Sequence, residues 1–427
     1  MSLHLIQREG SVATLDEHDA AHAAWPVPGQ PATGFRFRQP DCFSNIFENV
    51  VSLVPHIRSR SDEIEKQRAV PADVVQLLKD AGAFRMLMPR IWGGPELPTL
   101  EQIDIIEQVS SADASVGWCL MIGCDSGFYS GFIEDSAARA LWPRLDMVQA
   151  GWAQPAGRAE IVAGGYRISG QWRFLSGSTH ADNIAAGCIV YQNGEPLLRD
   201  GRRQSRVVIA KRAEWRIDDV WFTTGLRGSA SNDYAPRADS LFVPFEHTLD
   251  LTQPKREGAL WARPDTFLRK MAAVPLGVAR RTIDDVLQIM AGKVEFPSGR
   301  PYRELDRIRT AIGEAQMRLG AARSYVYSAL DTQWRKILRD EPLTDRERSD
   351  VWLSRLNAFQ ESRTIVRSLY DAVGGSAIYT YRSSLDRSLR DMETMCQHFV
   401  GQRRELSAAG GLLLGNPRDG GHPFMPK

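Results

Sequence analysis

The chain has 427 residues, 43% hydrophobic and 25% charged, with 53 basic and 52 acidic side chains and a net charge of +1. That length exceeds one ordinary core and predicts more than one domain. The near-neutral balance supplies no bulk pull toward nucleic acid or an anionic membrane, so neither is an expected partner.

Residues 1–40 open the chain with a His-, Ala-, Pro- and Gly-rich stretch, HDAAHAAWPVPGQPATG, and read as a flexible arm. His18 and His22 stand four apart there, but no third ligand is near and no metal is expected. The leading MSLHLIQREG has no basic region followed by an apolar run, which predicts a cytoplasmic protein.

Residues 41–147 read as an N-terminal helical domain. Pro71 suits the first turn of PADVVQLLKDAG, and Gly82 should stop it. Thr99 with Gln102 predicts a capping box. The most apolar stretch, VGWCLMIGC at 116–124, is too short to cross a bilayer and is stopped by Asp125.

Residues 148–255 change period. GGYRISGQWRFLSG alternates around a glycine as a strand pair does, and Asn193-Gly194 marks a hairpin turn. RVVIAK, EWRIDDVWF and DSLFVP are further strands of a compact β barrel or sandwich. From 256 to 427 the pattern is helical again, with amphipathic runs over 264–292, 303–339, 344–373 and 383–407. Four such helices predict a bundle. The fold class is therefore α+β multidomain: helical domain, central β barrel or sandwich, then four-helix bundle.

Several chemistries are absent. There is no GxGxxG after a strand, no GxxxxGK[ST] loop and no GxSxG elbow. The five cysteines form no CxxC pair and no zinc-spaced set, which predicts free thiols in a reducing compartment. RSYVYSALDTQWRK mixes bases and aromatics at helical spacing, as core packing with an arginine outer face does.

Three phrases, in order, carry a resemblance: QWRFLSG (171–177), TTGLRGSASNDY with LFVP (241–244), and DAVGGSAIYTYRSSLDRSLRD (371–391). Over about residues 45–415 the chain resembles the acyl-CoA dehydrogenase superfamily. PAGRAEIVAGGYRISGQWRFLSGSTHAD (155–182) and GLRGSASND (225–233) are most similar to its two-component flavin-dependent monooxygenases. The resemblance implies dissociable reduced FMN or FAD from a separate flavin reductase, O2 as cosubstrate and a C4a-hydroperoxyflavin. It further implies a small aromatic or heterocyclic substrate, and a homotetramer or homodimer.

It also assigns residues. The dehydrogenases need a carboxylate base, and its two family positions fall here at Phe399 and about Phe267, neither able to take a proton. His398, in QHFVGQ (397–402), adjoins the first. Alone it reads as a core histidine; with the resemblance it becomes the acid/base toward substrate or the group steadying a flavin-bound oxygen. Ser176 and Gly177 are placed at the flavin, with the Ser176 hydroxyl near N5. Trp172 and Phe174 alternate with Gln171 and Arg173, so they should share one apolar face beside the ring, barrel core being the local alternative. Gly374 and Gly375 would let a neighbouring subunit's flavin approach, or simply break a helix. His180 is expected to shape its loop. Trp118, Asp125 (or Cys124) and Phe399 are the substrate-facing candidates. The segment GWCLMIGCDSGF (117–128) lacks the second histidine of some aromatic hydroxylases, leaving the substrate open. The rival readings are an acyl-CoA dehydrogenase or oxidase with a non-standard base, and a non-catalytic binding protein.

Overall fold

The computed structural model describes residues 34–380 and 383–416; the stretch 1–33, with His18 and His22, lies outside them. The first part is helical: α1 (Phe43–Ser59), α2 (Ser61–Gln67), α3 (Ala72–Asp80), α4 (Thr99–Ala112), α5 (Ala114–Gly123), α6 (Ser126–Ser130) and α7 (Asp135–Leu141). Pro71 caps α3, and Gly82 beyond its end has φ +84°, the left-handed turn that glycine permits. The capping box expected at α4 does not form. Pro98, its φ fixed by the ring, takes the cap position, and the Gln102 amide donates to the Leu97 carbonyl instead.

Twelve strands follow: β1 (Gln149–Val162), β2 (Gly165–Ser169), β3 (Trp172–Leu175), β4 (Asn183–Gln192), β5 (Glu195–Pro196), β6 (Leu198–Arg199), β7 (Arg202–Arg203), β8 (Ser205–Lys211), β9 (Trp215–Asp218), β10 (Asn232–Pro236), β11 (Leu241–Pro244) and β12 (Thr248–Leu249). The main sheet runs β11-β2-β1-β4-β8-β12, with β5 on β4; a smaller sheet runs β3-β10-β9. Asn193 and Gly194, both at positive φ, turn β4 into β5 as the hairpin reading expects. The pair read from GGYRISGQWRFLSG is not a pair. β2 bonds to β1 and β11, whereas β3 bonds to β10, because the chain crosses between sheets at Gly170. Between the sheets lie Trp172, Trp215 and Tyr234, their rings 5.4–5.6 Å apart, against Ile168, Ile184 and Val208. Gly157 is obligatory here: a Cβ on it would lie 1.9 Å from the Trp172 ring.

The C-terminal part holds α8 (Thr266–Arg269), α9 (Ala273–Gly292), α10 (Asp306–Leu338), α11 (Asp345–Val373), α12 (Leu385–Met395) and α13 (Glu405–Leu413). α11 begins with a true capping box, Thr344 and Glu347, which local pattern had not singled out. The helix expected over 383–407 is broken. α12 stops at Met395, a 3-10 turn covers Phe399–Gly401, and α13 starts at Glu405. The turn is packed against α11: a Cβ on Gly401 would lie 3.0 Å from the Phe359 ring, and Gln360 donates its amide to the Gly401 carbonyl. The helical domain and the bundle share one core, and α9 meets α4 so closely that a Cβ on Gly277 would sit 2.4 Å from the Glu107 carbonyl oxygen. No helix among the described residues is long and apolar enough to cross a membrane.

Candidate active site

Three candidates far apart in the chain come together where α5, β3 and the break after α12 meet. Asp113 caps α5 by accepting from the Ser115 and Val116 amides, fixing the helix that carries Trp118. The Trp118 indole N–H donates to Ser176 Oγ at 3.0 Å. Ser176 Oγ is also 2.8 Å from Ser231 Oγ, which is 2.7 Å from Ser229 Oγ. Two left-handed residues, Leu226 and Ala230, fold GLRGSASND back against this strand end. The Gly177 amide, in its own left-handed turn, donates to the Ser229 carbonyl at 2.8 Å. Ser176 is thus held by a chain of buried hydroxyls rather than by its strand alone.

His398 stands in the broken helix. Its amide closes α12 on the Met395 carbonyl at 3.1 Å, and the following turn leaves the ring facing Trp118 edge-on, with centroids 5.5 Å apart at 73°. The Phe399 ring lies 4.8 Å from it, tilted by 38°. The imidazole is half-buried, and its Nδ1 is enclosed with no hydrogen-bond partner among the described residues. Burial lowers its pKa to about 4, and the Arg355 charge adds to the effect. The ring is therefore neutral at physiological pH, with an unused nitrogen able to accept a proton or a hydrogen bond.

On the barrel side, the expected shared face of Trp172 and Phe174 does not exist. Trp172 is wholly buried, stacked on Tyr234 and donating to the Gly187 carbonyl at 2.7 Å. Phe174 takes φ +63°, which breaks the two-residue alternation and sends its ring outward, 56% exposed. Trp152 and Trp221 stand perpendicular to that ring at 6.2 and 6.3 Å. Asn232 Oδ1 accepts from the Val220 and Trp221 amides and fixes the second of these. An open aromatic surface beside a buried, oriented hydroxyl suits a planar heteroaromatic ring such as a flavin. Trp152 and Trp221 carry no sequence signal, and Ser229 and Ser231 lie in the phrase GLRGSASND without being singled out, because only folding places them around Phe174 and Ser176. His180 sits under Gly177, its Nδ1 3.3 Å from Thr179 Oγ1, in keeping with a loop-shaping part. Gly374 and Gly375 are exposed at the end of α11, where a Cβ on either would meet nothing within 4 Å, and they lie outside this cluster.

Three acids on the surrounding elements are engaged. Glu393 is held by Arg363 and Arg367, and Asp265 by Arg269 and Gln333. Asp125 forms a buried ion pair with Lys270 at 2.5 Å. Burial pushes the Asp125 carboxyl up to about 6 while Lys270 pulls it back. The Cys124 thiol, pushed up to about 12 by burial, stays protonated and unreactive. Lys270 could have been suspected from the sequence, because with Arg269 it runs directly into the apolar stretch MAAVPLG. Of the two residues that the resemblance sets at the dehydrogenases' base positions, Phe399 adjoins His398, and Phe267 packs 5.7 Å from Phe128. A separate polar cavity of about 230 Å³ lies between α4 and α12, lined by Arg58, Arg281, Arg387, Asp113 and Asp391. No group of histidine, cysteine, aspartate or glutamate among the described residues is arranged to hold a metal ion.

Comparison with known proteins gives concordant findings. Residues 52–136 match the family model of the acyl-CoA dehydrogenase N-terminal domain, and residues 270–403 match that of the acyl-CoA dehydrogenase C-terminal domain. The chain is 27% identical to an indole-3-acetate monooxygenase of Pseudomonas putida over 361 residues, 84% of this chain and 90% of the relative. It is 31% identical over 200 residues to the oxygenase subunit HsaA, a flavin-dependent monooxygenase of Rhodococcus jostii, covering 46% of this chain and 50% of that one. The structure of XiaF from Streptomyces sp. with FADH2 and glycerol superposes with a TM-score of 0.79 at 20% identity, over 90% of this chain and 97% of the other.

Proposed function

The chain belongs to the acyl-CoA dehydrogenase superfamily, and the two positions that the resemblance assigns to that family's base fall at Phe399 and about Phe267; we propose that it is the oxygenase component of a two-component flavin-dependent monooxygenase. It uses O2 and reduced FMN or FAD, delivered by a separate flavin reductase, to oxygenate a small aromatic or heterocyclic molecule. Bound reduced flavin supplies the activation of O2. This chain's residues do the rest.

The observation that carries the reading is the convergence of Trp118, Ser176 and His398 on one site. Phe174, Trp152 and Trp221 offer a surface on which the flavin ring can lie. Ser176, its hydroxyl held by Trp118 and Ser231, presents a fixed hydrogen-bonding group to the ring edge. Covered by a bound flavin, these aromatic rings would keep water from its buried face, where water would otherwise release hydrogen peroxide before transfer. His398, neutral and with a free nitrogen, takes a proton from the substrate and so raises its nucleophilicity, or steadies the oxygen being delivered. Trp118, Phe399 and the Asp125–Lys270 pair bound the substrate side. Exposed Gly374 and Gly375 fit an assembly, a homotetramer or homodimer, in which a second subunit approaches the flavin. The protein works in the cytoplasm, with its thiols free.

The test is oxygen incorporation. The protein is given chemically reduced FMN or FAD, isotopically labelled O2 and a panel of aromatic and heterocyclic substrates. Label in a product, with no reductase present, supports the reading. Desaturation of an acyl-CoA without label would replace it with dehydrogenation.

A further inference from the structure

The bundle buries a guanidinium that no described residue bonds or pairs with. Arg355 lies on α11 one turn before Phe359, whose ring abuts Gly401 and whose carbonyl accepts the Cys396 thiol at 3.7 Å, so this stretch backs the segment that carries His398. Arg355 is 4% exposed, and its guanidinium stacks on Trp352 at 4.5 Å. Its Nε is enclosed, and among the described residues the group makes no hydrogen bond and no ion pair. Two carboxylates, Asp265 and Glu405, favour its charge without pairing with it, and each has another partner. Asp265 accepts from Arg269 twice, at 2.7 and 2.9 Å, and from Gln333 at 2.8 Å. Glu405 lies 3.5 Å from Arg404. Arg269 Nη1 and His398 Nδ1 are likewise enclosed without partners. A lone buried guanidinium is costly to keep, and its planar fork of donors matches a carboxylate.

We infer that Arg355 receives an anionic group of the substrate, a carboxylate, and that the enzyme therefore acts on aromatic or heterocyclic acids. This rests on the oxygenase reading above. Burial lowers the Arg355 pKa to about 10, so the group stays charged at neutral pH. Its field also reaches His398. A bound carboxylate would cancel that field and leave the imidazole a better base once substrate is present.

The experiment is calorimetric titration, under anaerobic conditions, of the protein with reduced flavin. The probes are indole-3-acetate and phenylacetate, each beside its uncharged amide. Wild type should bind an acid on the order of ten- to a hundredfold more tightly than its amide. Arg355→Met should bring the acid down to the level of the amide, and Arg355→Lys should keep part of the preference. The melting temperature of Arg355→Met should be unchanged or higher, since no ion pair is lost; a structural arginine would lower it. Equal binding of acid and amide by wild type, or binding of neither while flavin is taken up, overturns the inference, as does a preference that survives Arg355→Met. Flavin reoxidation in the same samples judges the oxygenase reading separately. Reoxidation at the free-flavin rate would sink that reading, while the acid-to-amide ratio would still judge Arg355.

Discussion

Ser176 gives the sharpest energetic prediction, because two buried groups depend on it. Ser176→Ala removes the acceptor of the Trp118 indole N–H, now at 3.0 Å, and one of two partners of Ser231. Ser231 keeps Ser229 at 2.7 Å, so its loss is small. The Trp118 N–H has no second acceptor in view and is left unpaired in a buried site, which costs about 1–3 kcal/mol. Trp118→Phe removes the donor itself, leaves Ser176 bonded to Ser231, and should cost about 1 kcal/mol for the hydrogen bond. In the double variant no donor is stranded. The two changes should therefore be less than additive, with a coupling of about 1–2 kcal/mol. The assay is urea unfolding of the four proteins without flavin, followed by near-ultraviolet circular dichroism. Additivity within about 0.5 kcal/mol would show that the contact does not couple the two residues, and the case for an oriented Ser176 would fall with it.

His398→Ala should slow product formation on the order of a hundred- to ten-thousandfold while leaving reduced-flavin affinity nearly unchanged, as read by single-turnover kinetics and flavin titration. The His398 pKa is lowered to about 4 from 6.5, so the folded protein holds fewer protons than the unfolded chain between those values. Stability from this group is accordingly full above pH 6.5 and lost as pH falls toward 4, and this acid sensitivity should be reduced in His398→Gln by pH-dependent melting. An activity limb near pH 6.5 in the absence of bound substrate would contradict the buried, neutral ring. Asp125→Asn strands the wholly buried Lys270 and should cost about 3–5 kcal/mol in denaturant unfolding, most of it recovered by adding Lys270→Met. Phe174→Ala should leave stability within about 0.5 kcal/mol yet weaken flavin binding, whereas Trp172→Ala should cost about 3–5 kcal/mol, a contrast that unfolding and flavin titration on both proteins would check.

Much of this was legible in the sequence, for physical reasons that can be traced. The α–β–α order follows from changes of period, and the Asn193-Gly194 turn from the positive φ that both residues tolerate. Failures came where tertiary contact overrode local pattern. Alternation alone put Trp172 and Phe174 on one face, but the left-handed backbone at Phe174 rotates its ring out. Periodicity alone drew one helix over 383–407, but α12 ends at Met395 and His398 stands in the turn that follows, where Gly401 packs on Phe359 of α11. Thr99 looked like a cap because no local rule says that Pro98 will take the position. Trp152 and Trp221 carry no motif of their own, GLRGSASND did not say which of its serines would face Ser176, and Arg355 is one arginine among many until burial leaves it without a hydrogen-bond or ion-pair partner among the described residues. The family phrases pointed to Ser176 and His398; the hydrogen-bond chain between Trp118 and the serines could be seen only in three dimensions.

The most direct test of the central claim is the fate of reduced flavin. Reduced FMN, and separately reduced FAD, would be mixed with the protein and then with oxygenated buffer in a stopped-flow spectrometer, with hydrogen peroxide assayed at the end. The account predicts that bound flavin returns to its oxidised spectrum much more slowly than free flavin, through a distinct absorbing phase. Hydrogen peroxide release should be delayed to match, and Phe174→Ala and Ser176→Ala should shorten that delay. Reoxidation and peroxide release at the free-flavin rate, unchanged by either substitution, would contradict it.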